Sequence, residues 1–237
     1  MSKVVLIGDR AVGKTSMVHA LAKKPYEKVE LKNGPDEEVA QTESIGNRTL
    51  QVICDLPAKS VELSLVWIDT PGELYIDRQK KEDKTDVWQE ICKELQTSRY
   101  IILLLPPHQS LFNNRNEKLT TSLNSKNRFK DWWIPFLSQN CQQAKHILIC
   151  RHKADMYNPN IEDLGNQNRY GISGFSWKEY FNSTSIDFGE IKDQIELYQK
   201  QHQHQEIRRF VTTIHNRSLL ELPWLYIGTR ESIRPQY

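Results

Sequence analysis

The sequence predicts a doubly wound α/β fold: a mostly parallel sheet with helices on both faces. Three observations predict it. Short unbroken apolar runs recur, "VVLI" (Val4 to Ile7), "YIILLL" (Tyr100 to Leu105) and "HILIC" (His146 to Cys150). Such runs suit parallel strands covered on both faces. Stretches of helical spacing lie between them. A glycine-rich segment, "GDRAVGKT", follows the first run directly and opens the first helical stretch.

Each element has its own warrant. "SMVHALAK" reads as a helix that stops at Pro25. "TLQVICDL" (Thr49 to Leu56) and "VELSLVWID" (Val61 to Asp69) alternate as a hairpin with "PAKS" as its turn. Val87, Trp88, Ile91, Cys92 and Leu95 form one helical face between Thr85 and Gln96. Phe129, Trp132, Trp133, Phe136 and Leu137 form another; Pro135 requires that helix to begin near Asp131, so that the missing N–H falls in the first turn. Both tryptophans read as core and partner surface. Phe188, Ile191, Ile195 and Tyr198, then Ile207, Phe210 and Ile214, continue as a long helical pattern broken at "QKQHQHQ". "WLYIG" (Trp224 to Gly228) reads as a last short strand. One domain over 1–237 is expected, with polar surface insertions at 106–128 and 158–174.

Composition narrows the function. Net charge is +2, which gives no general electrostatic case for nucleic acid or an anionic membrane. The four cysteines are scattered, and Cys92 and Cys150 read as buried thiols, a usage that suits a reducing, cytoplasmic setting. The longest apolar run is far too short for a bilayer, and no lipidation signature is present, so no direct membrane anchor is expected. His202 and His204, two apart, do not suggest a metal site.

Three segments carry the chemistry. In "GDRAVGKT" the pattern G-x-x-x-x-G-K-[ST] sits between a strand and a helix, where backbone N–H groups and the helix N-terminus cradle an anion. Gly8, Asp9, Ala11, Val12, Gly13, Lys14, Thr15 and Ser16 are the nucleotide-binding candidates. Lys14 would reach the β- and γ-phosphates, and the Thr15 hydroxyl would ligate Mg²⁺. In "WIDTPGE", Asp69 ends a strand where a carboxylate needs a charged partner, and a water-bridged Mg²⁺ would supply one. The Gly72 N–H would sense the γ-phosphate. In "LICRHKADMY", Asp155 can accept from guanine N1–H and N2–H₂, an edge adenine lacks, while Lys153 lies over the ring.

At these motifs the chain resembles the Ras-like small GTPases within the P-loop GTPases, in order from Lys3 to about Arg230 apart from the insertions. The resemblance implies phosphate binding by Gly13, Lys14 and Thr15, Mg²⁺ near Thr15 and Asp69, and guanine binding by Lys153 and Asp155. His152 fills the place of the family's asparagine, where a neutral imidazole can donate to guanine N7. Thr42 in "VAQTESIG" is the candidate switch threonine and Mg²⁺ ligand, with Thr49 as alternative. Thr229 and Arg230 in "YIGTRE" stand where the family has a base-contacting loop after its last strand. Two positions depart from the family. Glu73 follows Gly72 where relatives carry a water-orienting glutamine, and Arg10 replaces a loop glycine; both are candidate catalytic residues. Only seven residues follow Arg230, too few for the family's closing helix. The expected function is a guanine-nucleotide switch with an unidentified protein effector or regulator. The alternatives are a nucleotide-binding interaction module with little turnover, or a P-loop ATPase.

Overall fold

The apolar runs become the middle of a sheet. The computed structural model describes residues 2–9, 12–22, 28–32, 48–67, 85–107, 128–157 and 176–233. In chain order its elements are β1 (Ser2–Gly8), α1 (Lys14–Ala22), β2 (Val29–Lys32), β3 (Arg48–Asp55), β4 (Ser60–Trp67), α2 (Thr85–Thr97), β5 (Tyr100–Leu105), α3 (Ile134–Asn140), β6 (His146–Arg151), α4 (Trp177–Ser183), α5 (Lys192–Gln201), β7 (Glu206–Val211) and α6 (Arg217–Ser232). The sheet order is β2-β3-β4-β1-β5-β6-β7. β1, β5, β6 and β7 run parallel, as do β1 and β4, while β2–β3 and β3–β4 are antiparallel.

Burial explains the composition of the strands. Every residue of β5 and β6 is buried, as is β1 from Val4 to Gly8, so these strands have no polar face. β7 lies at one edge and alternates partly exposed residues with Ile207, Phe210 and Val211. α1 and α6 pack together, as do α2 and α3. In α2, Ile91 and Leu95 face the core and Trp88 packs against it, while Cys92 is only partly buried and its thiol reaches the Asn140 amide oxygen at 3.3 Å. All four cysteines are free thiols.

Several expectations are corrected. The helix after the first insertion begins earlier than Asp131, with a π turn over Phe129–Trp133 closed by the Ile134 N–H donating to the Phe129 carbonyl. That wide turn accommodates Pro135, whose ring would otherwise meet the carbonyl four residues back. The helical pattern from Phe188 holds through Ile186–Ile191 and α5, but Ile207 and Phe210 belong to strand β7. "WLYIG" is not a strand. It is the centre of α6, where Leu219 to Leu222, Trp224, Tyr226 and Ile227 are all buried. A helix apolar all round shows no period that distinguishes it from a buried strand. The closing helix expected to be missing is therefore present. Strand β2 and helix α4 were not anticipated.

One buried cluster fastens α6 to the rest. Glu221, 1% exposed, accepts from the backbone N–H groups of Lys28 and Val29 at 3.2 and 3.3 Å and pairs with Arg217 at 2.7 Å. Arg217 also donates to the carbonyls of Ala20 and Val29, each at 2.6 Å, which closes the end of α1. Asn216 caps α6 by accepting from the Leu219 N–H. Removing Glu221 takes the carboxylate from the half-buried Arg217 and the side-chain acceptor from the Lys28 and Val29 N–H groups. Glu221→Ala is expected to cost about 3 kcal/mol or more of stability in urea unfolding; a loss below about 1 kcal/mol would place the cluster among ordinary surface pairs.

Candidate nucleotide site

The site lies at the carboxyl ends of the parallel strands, on both sides of β1, where the chain's winding direction reverses and doubly wound sheets open a crevice. Register brings these ends level: Gly8 pairs with Leu104, Leu105 with Arg151, and Arg151 with Val211.

The phosphate loop is built from β1 into α1. Gly13 has φ +105°, a backbone state that side chains rarely adopt, and a Cβ there would lie 2.7 Å from the His152 ring. A Cβ on Gly8 would lie 2.6 Å from the Leu104 carbonyl oxygen. Both positions therefore need glycine for space, and Gly13 also for backbone freedom. The first helical bond runs from the Met17 N–H to the Gly13 carbonyl, and α1 has no acidic residue in its first turn. Its N-terminal N–H groups and partial positive charge are thus available to an anion. Lys14 is buried and folds back over the loop, donating to the carbonyls of Gly8 at 2.8 Å and Asp9 at 2.9 Å. Val12 is buried, Thr15 half-buried and Ser16 exposed.

Asp9 has a different role from its neighbours. Its carboxylate, buried, accepts from Arg128 at 2.6 Å and from the Trp133 indole at 3.3 Å. Arg128 closes the segment read as the first insertion, and sequence reasoning gave it no part in the site. It holds the phosphate loop from the α3 side and also lies over the Trp132 ring.

The candidate base end lies in the loops after β6 and β7. His152 is buried; its ring packs on Gly13 and its Nδ1 is 2.9 Å from the Thr212 hydroxyl. Burial, reinforced by the neighbouring Lys153 charge, pushes the His152 pKa down to about 4. The imidazole is therefore neutral at physiological pH. Lys153 is the one non-glycine residue with positive φ among the described residues, at +58°. This costs on the order of 1 kcal/mol, and such outliers gather at functional sites. Asp155, whose side chain is 30% exposed, accepts from the Thr213 hydroxyl at 2.5 Å and has His215 at 3.9 Å.

Thr212 and Thr213 thus occupy the loop after the true last strand, and sequence reasoning missed them. Assigning Glu206–Val211 as a strand would have revealed them, since "TT" follows it directly. Thr229 and Arg230 are placed elsewhere. They lie in α6, at the opposite, amino edge of the sheet: Arg230 meets Glu206 at the start of β7, and adjacent Glu231 meets Ser2 and Tyr100 at the starts of β1 and β5. Arg10, Ala11, Thr42, Asp69, Gly72 and Glu73 lie outside the described residues. Thr49 lies in β3, opposite Val66. Among the described residues no group of three or more His, Cys, Asp or Glu could hold a metal ion, and no helix is long and apolar enough to cross a membrane.

A mostly parallel sheet with this glycine loop and buried lysine defines a P-loop nucleotide-binding protein. The sequence model of the 50S ribosome-binding GTPases matches residues 3–134, more than half of the 237, and the chain belongs to that P-loop GTPase family. No curated protein matches the chain. The matched span ends before Lys153 and Asp155.

The buried imidazole gives a direct check. With its folded pKa below the unfolded value, His152 binds its proton more readily in the unfolded chain, so its contribution to stability falls as pH drops from about 6.5 toward 4. His146, also lowered to about 4 by burial, acts in the same direction. In an NMR titration the His152 ring is expected to stay neutral down to about pH 5; a midpoint near the ordinary histidine value of about 6.5 would contradict its buried placement.

Proposed function

We propose that this protein is a Ras-like guanine-nucleotide switch that hydrolyses GTP slowly and signals its state to a protein effector. The observation that supports it best is the joining of three loops: His152, between Lys153–Asp155 and the phosphate loop, packs on Gly13 and reaches Thr212. Phosphate donors and a carboxylate suited to guanine thereby belong to one rigid edge. Val12 to Ser16 and Lys14 take the phosphates, Asp155 accepts from the guanine edge, and the stem of Lys153 covers the ring. Thr213 orients Asp155 through its hydroxyl. Guanine N7 is assigned to the His152 position, as the resemblance implies.

A divalent cation fits this site only in part among the described residues, through the Thr15 hydroxyl in the first turn of α1. Asp69 and Thr42 would complete its shell, and the ion would neutralise charge between the β- and γ-phosphates. Segments around Thr42 and from Gly72 to about Lys84 act as the switches that γ-phosphate orders. Their change of order is what an effector reads.

The base is tested first. A site built for guanine donors leaves its carboxylate unpaired with adenine, so GDP is expected to bind well over tenfold better than ADP. Asp155→Asn should weaken GDP and improve xanthosine diphosphate in the same titration. Equal affinities for ADP and GDP in the unmutated protein would favour the ATPase reading instead.

Turnover is tested separately. An ionised Glu73 can only accept hydrogen bonds and sets negative charge beside the γ-phosphate oxygens. Arg10, in the loop that would face the γ-phosphate, obstructs rather than rescues. Single-turnover hydrolysis should be slow, ~10⁻⁴ s⁻¹ or below, and Glu73→Gln should raise it. A rate above about 10⁻² s⁻¹, lost in Glu73→Gln, would make the glutamate a working base. No measurable turnover even in Glu73→Gln would support the interaction-module reading.

A further inference from the structure

Arg230 leaves the nucleotide site for a cavity of about 520 Å³ at the other edge of the sheet. The cavity lies between α4 and α6 beside edge strand β7. Its floor is aromatic. Trp177 stacks on Phe181 at 5.7 Å between centroids and meets Tyr226 edge-on at 5.6 Å. The rim is cationic, formed by Lys178, Arg208 and Arg230.

The charges are not balanced. Arg208 and Arg230 share one carboxylate oxygen of Glu206, the second at 2.7 Å. Lys178 is exposed. His146, which approaches the other Glu206 oxygen at 3.3 Å, is kept neutral by burial. Among the described residues, three cations against one anion leave a surplus of two positive charges around an apolar floor. The Arg208 guanidinium is held 5.1 Å above the Phe181 ring, and its Nε is buried without a hydrogen-bond partner. The Arg230 guanidinium is held likewise over Tyr226, at 5.2 Å. Both guanidinium groups are thus oriented before any ligand arrives, Arg230 with its Nε already donating to the Tyr226 hydroxyl at 3.2 Å, which lowers the ordering cost of binding.

We propose that this cavity docks an acidic peptide segment of a protein partner, with an aromatic side chain seated on Trp177, Phe181 and Tyr226 and flanking carboxylates on Arg208, Arg230 and Lys178. A cavity of this volume takes one large side chain and its neighbours. Carboxylates meet guanidinium forks in a geometry that lysine alone does not offer. β7 runs from Arg208, which lines this cavity, to the candidate base loop at Thr212, roughly 13 Å away at ordinary strand rise. The docking site is therefore separate from the nucleotide site, and the inference does not rest on guanine specificity.

The experiment titrates the ¹⁵N-labelled full chain with acetyl-Asp-Phe-Asp-amide and follows the Trp177 indole and the Arg208 Nε–H by NMR. Saturable shifts of both are expected, with a Kd of about 1 mM. Acetyl-Lys-Phe-Lys-amide and acetyl-Asp-Ser-Asp-amide should each bind at least tenfold more weakly. Binding of the first peptide should fall at least tenfold in Arg208→Gln with Lys178→Gln, while GDP affinity stays unchanged. Lys178→Glu, at an exposed position, gives the same test should the double variant fail to fold. GDP added to the complex should leave the peptide in place. No saturable shift at Trp177, equal binding of the lysine peptide, unchanged binding in the variants, or displacement by GDP would each overturn the proposal.

Discussion

The packing of His152 against Gly13 is the contact on which the candidate site depends. The glycine's positive φ brings the phosphate loop under the imidazole, and the space left by the missing Cβ is the space the ring occupies. From the other side the ring meets the Thr212 hydroxyl, so one buried side chain joins the loops after β1, β6 and β7. A neutral imidazole suits the position, because a charged one would be costly to bury next to Lys153. The second brace is electrostatic. Arg128 and the Trp133 indole hold the Asp9 carboxylate, fixing the loop from the α3 side. Preorganisation of this kind keeps the loop's donors in place without ordering cost when a ligand binds.

Much of the sheet was legible in the sequence because burial on both faces leaves a plain signature. β1, β5 and β6 are unbroken apolar runs, and β3 and β4 alternate around a four-residue turn. β7 and α6 were not legible, for opposite reasons. Arg208 and Arg209 interrupt the edge strand, leaving Ile207 and Phe210 three apart, a spacing that fits a helix as well. α6 is buried along most of its length against the sheet and α1, so its apolar residues carry no period, and it holds Pro223 in its interior, where a proline ordinarily disrupts a helix. Strand β2 was too short to stand out, at four residues.

The candidate site divided along the same line. The segments Gly8–Ser16 and Lys153–Asp155 were placed at strand ends from sequence because their spacing is local and each follows a strand with a clear signature. The base loop was displaced to Thr229 and Arg230 because its location depends on which strand is last. Arg128 was invisible for a different reason: its partner Asp9 is far away in sequence, and only the fold brings the two together. The two edges of the sheet then separate by chemistry. The carboxyl edge offers backbone donors, the Lys14 ammonium and the Asp155 carboxylate proposed to meet guanine. The amino edge is tied by Glu206, Arg230, Glu231 and Tyr100, and Arg230 also lines an aromatic cavity there.

The most direct test is a ¹H–¹⁵N correlation spectrum of the protein recorded with and without GDP. The backbone amides of Gly13 to Thr15, Lys153 to Asp155, and Thr212 and Thr213 should move together with a single affinity, while those of Glu206, Thr229 and Arg230 stay fixed. Movement confined to Gly13 to Thr15, with Lys153 to Asp155, Thr212 and Thr213 unchanged, or movement at Thr229 and Arg230 instead, would contradict a nucleotide site built on the His152 contact.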